Sequence, residues 1–500
     1  MKKIKKIFAL LMTVAMVMGL NVTAFAATKD TATITVENAE DATLKYVQVI
    51  EPGREAQYTT GWKFSSMDIA NEYERALGVS DEQTAIAMLI KYYYESEEQT
   101  LPKGAPQIVQ NASAATATQI NQALDNVLNN SAINLTSMSS NSVNVNKAGV
   151  YVIYANHEDY TFKPMSAYVG FGAPEGYDYP SLVDAKVVAK KIPTTITKKD
   201  DDENNAVEIG QTVTYTVETN FPYFNQNDKN KYFAISDAIK GASYVGLTDD
   251  PDTTEVNEKT ATVTIGTTEV TDQVEFVKNQ DQNGESFLVN LTKFINDANT
   301  YAGQKVVVTY EADVTQSTVE NKASSHVGDS DYDSDPIELY TGKITLLKYD
   351  VDNQSIVLEN AGFKVTNKAG KVLTFVQNDE SKKIYTYDPE GNITEIFTDD
   401  NGNVVIEGLD VGEYTFTETT APKGYSVNGT PVTVNLQITN PNQANEATAI
   451  YDAKGEMADT KLTALPSTGG IGTTIFTIGG CVIMIAAAGL FFATRKKAEK

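Results

Sequence analysis

Hydrophobic and polar residues alternate along most of the chain. The runs from Thr33 to Val36, from Thr212 to Val217 and from Tyr414 to Thr417 change between the two classes at every step. A period of two is typical of strands that bury one face. Gly, Asn and Asp residues of the kind that form turns separate these short runs. The pattern therefore predicts a mainly β fold of tandem immunoglobulin-like sandwiches.

Two stretches near the N-terminus follow a helical period instead. Ser80 is followed three residues later by Gln83, which predicts a helix with Ser80 as its N-cap. A second helix is predicted from Ala117 to Leu128, because its apolar residues recur on one face. The first domain should therefore be a β domain with helical insertions.

Changes in the pattern along the chain predict three domains. We expect an N-terminal domain over 27–185, a second over 186–340 and a third over 341–462. Within the third, Asp399 to Gly402 reads DDNG. It predicts a hairpin turn, because Asn-Gly tolerates the positive φ values that such turns need.

The two ends of the chain carry export and membrane signals. Residues 1–26 contain four lysines, an apolar run and a final Ala-Phe-Ala, which is typical of a cleaved signal peptide. The apolar run over 471–494 is long enough to span a bilayer as a helix. The basic tail that starts at Arg495 should stay in the cytoplasm.

A short motif precedes this apolar run: Leu465, Pro466, Ser467, Thr468 and Gly469. Pro466 fixes its own φ and favours an extended peptide, and Gly469 leaves room beside the Thr468 carbonyl. Motif, apolar run and basic tail together resemble the LPXTG sorting signal of sortase substrates in Gram-positive bacteria. The resemblance implies that sortase cuts after Thr468 and passes its carbonyl to an amine, either on peptidoglycan or on another subunit.

Composition narrows the function further. The formal charge of −26 argues against nucleic-acid binding. The one cysteine, Cys481, lies in the apolar run, so disulfides cannot brace the exported part. The two histidines lack Cys or His neighbours, and neither a metal nor another cofactor is expected. The order of residues along the chain shows no Ser-His-Asp arrangement of the kind that forms a catalytic triad.

The third domain resembles the Cna B-type domains of Gram-positive pilins and adhesins. The opening strand at 342–350 (GKITLLKYD), the turn at 408–414 (GLDVGEY) and the segment at 414–425 (YTFTETTAPKGY) carry the resemblance. It implies an isopeptide bond between Lys348 and Asp459 that Glu418 promotes. Asp459 stands where the family usually has Asn, and Asp452 is the alternative.

The chemistry of such a bond explains why these residue types are needed. Burial disfavours the charged form of a lysine, so the amine becomes a nucleophile. Burial also keeps a carboxylic acid protonated, and the acid can then polarise the carbonyl that is attacked.

The second domain resembles the A-type relative of this family. In the segment that opens with Pro193, Lys198 fits the reactive amine, and Lys199 is the alternative in register. Asp237 fits the promoting acid and Asn321 the carboxamide. These roles are implied by the resemblance.

Backbone pilins of this kind also need an acceptor lysine between the first and second domains. Lys186, Lys190 and Lys191 lie there. Lys190 is slightly favoured, because Val187 to Lys190 resembles the strand before the family's lysine, and Lys186 is close behind.

These observations predict a structural protein that has no enzymatic turnover. We expect a cell-surface pilus subunit, polymerised by sortase with other copies and anchored to peptidoglycan. The alternative is an unpolymerised wall-anchored adhesin that binds a host or matrix ligand through its N-terminal domain.

Overall fold

The computed structural model describes residues 31–39, 41–96, 100–101, 104–172, 181–225, 228–247, 261–282, 284–379, 383–438, 450–462 and 472–497. The signal peptide and the motif at 465–469 lie outside the described residues. The chain divides into two compact units: unit 1 holds Met1–Asn204 and Gln211–Leu339, and unit 2 holds Asn205–Gly210 and Tyr340–Lys500. The finer division into three domains remains a prediction.

The N-terminal part of unit 1 combines strands with helices. Its strands are β1 (Ala32–Glu37), β2 (Thr43–Pro52), β3 (Trp62–Phe64), β4 (Thr136–Ser137), β5 (Ser142–Val145), β6 (Gly149–Asn156), β7 (Tyr160–Phe162), β8 (Met165–Val169), β9 (Phe171–Gly172), β10 (Ser181–Leu182), β11 (Ala185–Val188) and β12 (Lys191–Pro193). Its helices are α1 (Met67–Leu77), α2 (Glu82–Ser96), α3 (Gln107–Asn111) and α4 (Ala117–Asn129).

The helices of this part pack on a sheet of order β3-β2-β6-β8, and a second sheet has the order β11-β1-β5. Helix α4 matches the predicted segment and begins with a capping box between Thr116 and Gln119. The predicted N-cap of helix α2 is wrong by one residue. Asp81 accepts the N–H of Thr84 at 2.8 Å, because a carboxylate one position later also satisfies a free N–H of the first turn.

The rest of unit 1 is a sandwich of two sheets. Its strands are β13 (Thr197–Asp200), β14 (Thr212–Asn220), β15 (Phe233–Lys240), β16 (Ala242–Tyr244), β17 (Thr262–Ile265), β18 (Thr268–Glu269), β19 (Phe276–Asp281), β20 (Gly284–Asn290), β21 (Lys305–Val314), β22 (Thr318–Val327), β23 (Ser330–Asp333) and β24 (Ile337–Tyr340). One sheet has the order β13-β14-β21-β17-β18, and the other β19-β20-β15-β22-β23. Alternate residues of the long strands β14, β20 and β21 are buried between them.

Unit 2 is a second sandwich. Its strands are β25 (Gly342–Asp350), β26 (Asn353–Val357), β27 (Gly362–Asn367), β28 (Phe375–Asp379), β29 (Ile384–Tyr387), β30 (Ile396–Phe397), β31 (Asn403–Leu409), β32 (Gly412–Thr420), β33 (Val432–Leu436) and β34 (Tyr451–Asp459). One sheet has the order β26-β25-β31-β29-β28 with β34 parallel to β25, and the other has the order β30-β27-β32-β33. These strands confirm the predicted mainly β fold.

The turn at Asp399–Gly402 exists, but it does not form the predicted hairpin. Gly402 has a φ of 72°, and Asp399 accepts the N–H of Asn403 at 2.7 Å through its side chain. The strands on either side, β30 and β31, belong to different sheets. An Asn-Gly pair determines local backbone geometry, whereas the choice of partner strand depends on which faces are buried.

A C-terminal helix, α5 (Gly472–Lys497), covers most of the apolar run. Its described side chains, from Phe476 to Leu490, are largely exposed. Within the described part of the chain, no helix has both the length and the hydropathy needed to span a membrane.

Candidate crosslinking sites

Lys348 lies in the core of unit 2. Strand β25 alternates between buried and half-buried residues, and Lys348 shares its buried face with Ile344 and Leu346. Its side chain is completely buried. A lysine in this position must have polar partners, because an isolated ammonium group is strongly disfavoured away from water.

Two carboxyl groups meet the Lys348 amine. Nζ contacts Oδ1 of Asp459 and lies 3.1 Å from Oε1 of Glu418. Asp459 ends strand β34, the parallel neighbour of β25, and Glu418 comes from β32 in the opposite sheet. Both carboxyl side chains are completely buried. The sandwich therefore gathers three predicted residues from three strands.

The surroundings favour a protonated Glu418. Burial raises the pKa of its carboxyl group above the ordinary value, against the opposing effects of the Asn428 N–H and of Lys348. Among the described atoms, Oδ2 of Asp459 has no hydrogen-bond partner. A proton on Glu418 can thus be donated within the cluster, while Asp459 presents an open carboxyl group beside the amine.

The alternative residue, Asp452, lies elsewhere. Its side chain is 49% exposed and pairs with Lys343 at 3.1 Å. Asp452 is seven positions before Asp459 on the same strand, so its side chain points to the opposite face. The structure brings Asp459, and not Asp452, to Lys348.

A related cluster lies in the sandwich of unit 1. Lys198 comes from β13 and contacts Oδ2 of Asp237 on β15, in the facing sheet. Both side chains are completely buried. The register alternative, Lys199, is 67% exposed and lies 3.7 Å from Glu218. Lys198 is therefore the lysine that enters the core.

Asn321 is buried on β22, next to the strand of Asp237. Its Nδ2 donates to the hydroxyl group of Tyr310 at 3.1 Å. No described atom forms a hydrogen bond with its Oδ1. The ring of the same Tyr310 lies 5.5 Å from Lys198 Nζ, so the carboxamide and the Lys198 amine lie in the same part of the core.

Electrostatics favour neutral groups in this cluster as well. Burial lowers the pKa of Lys198 to about 8, although the attraction of Asp237 opposes the change. Burial also raises the pKa of Asp237. A neutral amine and a protonated acid are the forms needed for acyl transfer to a lysine.

Three tyrosines complete this cluster, and sequence reasoning missed them. Tyr244 donates its hydroxyl proton to Oδ1 of Asp237 at 2.8 Å. The rings of Tyr215 and Tyr310 lie 5.2 and 5.5 Å from Lys198 Nζ. The sequence signal for two of them was that Tyr215 and Tyr310 lie at inward-facing positions of strands in which apolar and polar residues alternate.

The three linker lysines differ in environment. Lys186 is 73% exposed and pairs with Glu37 at 2.9 Å. The amine of Lys191 lies 4.5 Å from the centre of the Tyr160 ring. Lys190 is half-buried, and burial lowers its pKa.

A fourth lysine, Lys163, lies beside Lys190 and was not anticipated. Its N–H donates to the Lys190 carbonyl oxygen at 3.2 Å. Burial, and then the charge of Lys190, lower the pKa of Lys163. Lys163 lines a cavity of about 230 Å³ together with Asp125 and Tyr223. The Tyr223 hydroxyl group donates to the buried Asp125 carboxylate at 3.0 Å.

A serine, a histidine and an aspartate also line up, although their order in the chain did not indicate it. Ser236 Oγ lies 2.8 Å from Nε2 of His326, and Nδ1 of His326 lies 2.6 Å from Asp331. Strand pairing between β15 and β22 brings them together on the outer face of the sheet. Ser236 is in the middle of a strand paired on both sides, so its backbone N–H belongs to the ladder and not to an oxyanion hole.

Comparisons with known proteins agree with this architecture. Residues 342–451 match the family model of the SpaA prealbumin-like fold domain, and residues 459–500 match that of the LPXTG cell wall anchor motif. The T6 backbone pilin of Streptococcus pyogenes is similar in structure at 14% identity, with a TM-score of 0.50, over 88% of this chain and 100% of that chain. The chain has a backbone pilin fold.

Other solved structures are similar at lower scores. The major pilin SpaD of Corynebacterium diphtheriae is 15% identical over 87% of this chain and 98% of that chain, with a TM-score of 0.47. The pilus 2b backbone protein of group B streptococcus is 23% identical over 54% of this chain and 99% of that chain, with a TM-score of 0.40. The search of curated proteins gave no match.

The two family-model matches and the fold of the T6 backbone pilin confirm the predicted resemblance to Gram-positive backbone pilins. The anchor motif also confirms the predicted attachment at the cell wall. The pilin fold and the anchor together are typical of a structural protein of the cell surface.

Proposed function

We propose that the chain is a structural subunit of a cell-surface pilus, which sortase links covalently to other subunits and finally to peptidoglycan. Its own chemistry consists of single events without turnover. The observation that carries the proposal is the complete burial of Lys348 between the carboxyl groups of Asp459 and Glu418. Such a costly arrangement of charges is understandable if it is the precursor of a covalent bond.

In unit 2, the Lys348 amine attacks Cγ of Asp459. Protonated Glu418 donates a hydrogen bond to the carbonyl oxygen under attack and relays protons. The nitrogen gives up one proton and keeps the other as the amide N–H, and the released proton joins the hydroxyl group of the Asp459 carboxylic acid, which leaves as water. The raised pKa of Glu418 supports its role as the acid.

In unit 1, the corresponding reaction joins Lys198 to Asn321. The amine attacks Cγ of Asn321, Asp237 acts as the acid, and ammonia leaves. The lowered pKa of Lys198 and the raised pKa of Asp237 support these roles. Both bonds would tie an opening strand of a sandwich to a strand near its end, so that tension along the chain cannot separate the strands.

Between subunits, sortase would transfer the Thr468 carbonyl to an acceptor lysine of the next copy. Lys190 remains the favoured acceptor. Its lowered pKa leaves more of the amine neutral, whereas the Glu37 carboxylate pairs with the ammonium group of Lys186. The wall-anchored adhesin is the competing function, and it requires no acceptor lysine.

Peptide sequencing of cell-wall extracts tests this function. We expect a branched peptide that joins Thr468 to Lys190 or Lys186, and a ladder of multimers that resists SDS. Replacing Lys186, Lys190 and Lys191 together by Arg should abolish the ladder. A single wall-linked band that is the same in wild type and in this triple variant would instead favour the adhesin.

A further inference from the structure

We propose that the end of unit 2 next to the sorting motif is a docking surface for the transpeptidase that reads this motif. The enzyme would then recognise the folded sandwich as well as the peptide. This inference rests on the proposed function, in which Leu465–Gly469 is a transpeptidase substrate. The exit surface, as we call it, consists of three segments: Asp350–Val351, Gly424–Val427 and Asp459–Leu462.

Backbone hydrogen bonds join these three segments. They continue the pairing of the last strand, β34, beyond its end at Asp459. The N–H of Val351 donates to Asp459 O at 2.9 Å, the N–H of Ser426 to Thr460 O at 3.1 Å, and the N–H of Leu462 to Gly424 O at 3.0 Å.

A buried carboxylate strengthens this connection. The Asp350 side chain is completely buried and lies 2.9 Å from the Lys461 amine. Oδ2 of Asp350 also accepts a hydrogen bond from the Tyr425 hydroxyl group at 2.7 Å. The chain is therefore held to the sandwich up to Leu462.

The motif begins only three residues later. Because successive Cα atoms are 3.8 Å apart, the Cα of Leu465 lies at most about 11 Å from that of Leu462. A globular enzyme of about 150 residues has a radius of gyration of roughly 15 Å. An enzyme that encloses residues 465–469 must therefore lie against the exit surface as long as the last segment stays paired.

The exit surface also has the chemistry of a contact surface. Each segment carries a large exposed apolar side chain: Val351 is 51% exposed, Val427 49% and Leu462 62%. Burying such side chains against a partner is favourable, and exposed apolar groups close together are typical of interaction sites. The partner that the tether brings to this place is the transpeptidase, so we expect an apolar patch beside its peptide groove.

Pulse-chase labelling in the producing bacterium tests the inference on the full chain. The measured quantity is the rate at which the membrane-held precursor becomes wall-linked. For the double variant Val427→Asp/Leu462→Asp we expect a rate about tenfold lower. This factor corresponds to losing the burial of two partly exposed apolar side chains against the enzyme. The matched control is Val372→Asp. Val372 is 43% exposed and follows the end of β27 that lies away from the exit surface, so this variant should be processed like wild type.

A spacer provides a second test that does not depend on the chemistry of the substituted side chains. Ten Gly and Ser residues inserted between Leu462 and Thr463 move the motif away from the exit surface. Docking predicts slower processing of the spacer variant, whereas steric hindrance by the sandwich predicts faster processing. Unchanged or faster rates in the spacer variant, or a double variant as fast as wild type, would overturn the inference.

The same experiment separates this inference from the proposed function. Thr468→Ala removes the residue whose carbonyl is transferred, and its precursor should never become wall-linked. If Thr468→Ala blocks processing but the double variant is normal, the function stands and the docking surface does not. If Thr468→Ala is processed like wild type, the proposed function is wrong and the docking inference fails with it.

Discussion

Lys348 and Asp459 are 111 residues apart in the sequence, yet their side chains meet in the core of unit 2. Strand β34 runs parallel to β25 and aligns Asp459 with Asp350. Two positions separate Lys348 from Asp350, so both side chains face inward. A bond here would close almost the whole sandwich of unit 2, from Lys348 to Asp459, into a loop.

We expect Glu418→Ala to prevent this bond. Without the acid, nothing protonates the leaving oxygen, so the intact mass should show no loss of water relative to the mass calculated from the variant's own sequence. Loss of a crosslink over about 100 residues should reduce the free energy of unfolding by roughly 5 kcal/mol in the chain-entropy account. Mass spectrometry and thermal unfolding measure the two effects.

Asp452→Ala is the matched control on strand β34. Its side chain is 49% exposed, so the variant should still show the loss of one water relative to its own calculated mass, and its stability should stay close to that of wild type. A wild-type chain whose mass shows no loss of water would mean that Lys348, Glu418 and Asp459 form only a buried ion cluster.

Two adjacent lysines provide a test in unit 1. Lys198→Met should abolish the loss of one ammonia from the intact mass, because the buried amine is the nucleophile. Lys199→Met should retain it, since Lys199 is 67% exposed. Peptide mapping should locate the crosslink on Asn321 in wild type and in the Lys199 variant. The opposite result for the two lysines would assign the reaction to Lys199.

The pKa of Lys198 predicts a specific pH dependence when no bond can form. In Asn321→Ala the amine stays free, with a pKa of about 8 in the fold against 10.5 ordinarily. Between these values the unfolded chain binds more protons than the folded one, so stability rises with pH. The gain should be on the order of 3 kcal/mol between pH 8 and 10.5.

Denaturant titrations at several pH values measure this change. The control is Lys198→Met/Asn321→Ala, which lacks the titrating amine and should show no rise over the same window. If the free energy of unfolding rises equally with pH in the single and the double variant, Lys198 is not a buried, neutral amine.

Asp350 predicts a dependence of the same sign in unit 2, but in the acid range. Lys461 and then Tyr425 lower its pKa from 3.8 to about 2. A lowered carboxyl pKa stabilises the fold above pH 4, and this contribution is lost as the pH falls through 2. Lys461→Ala should therefore be less stable than wild type at neutral pH, and the difference should disappear in acid. If wild type and Lys461→Ala differed in stability by the same amount at pH 7 and at pH 2, Asp350 would not be the group involved.

Several features of the molecule follow from short stretches of sequence. The alternation in β14 and β25 predicts strands with one buried face, and the Ala117–Leu128 periodicity predicts helix α4. The resemblance to Cna B-type domains implies Lys348 as the reactive lysine, and its period of two with Ile344 and Leu346 predicts that its side chain faces inward. These signals are local, since each depends only on backbone periodicity or on a contiguous motif.

Other features depend on which strands become neighbours. The choice between Asp459 and Asp452, and between Lys198 and Lys199, was decided by the face that each side chain presents in the packed sandwich. The Tyr244 contact with Asp237 and the Ser236–His326 pair had no signal in the chain order. Pairing of distant strands places these residues together.

The sequence by itself therefore determined the mainly β class, the sorting motif and the residue types that the crosslinks require. Only the tertiary structure decided which carboxyl group meets which lysine, and that Leu462 is still paired with the sandwich three residues before the motif. The reason is physical. Periodicity specifies which face of a strand is buried, but burial of that face against a particular partner sets the distances and pKa values on which the chemistry depends.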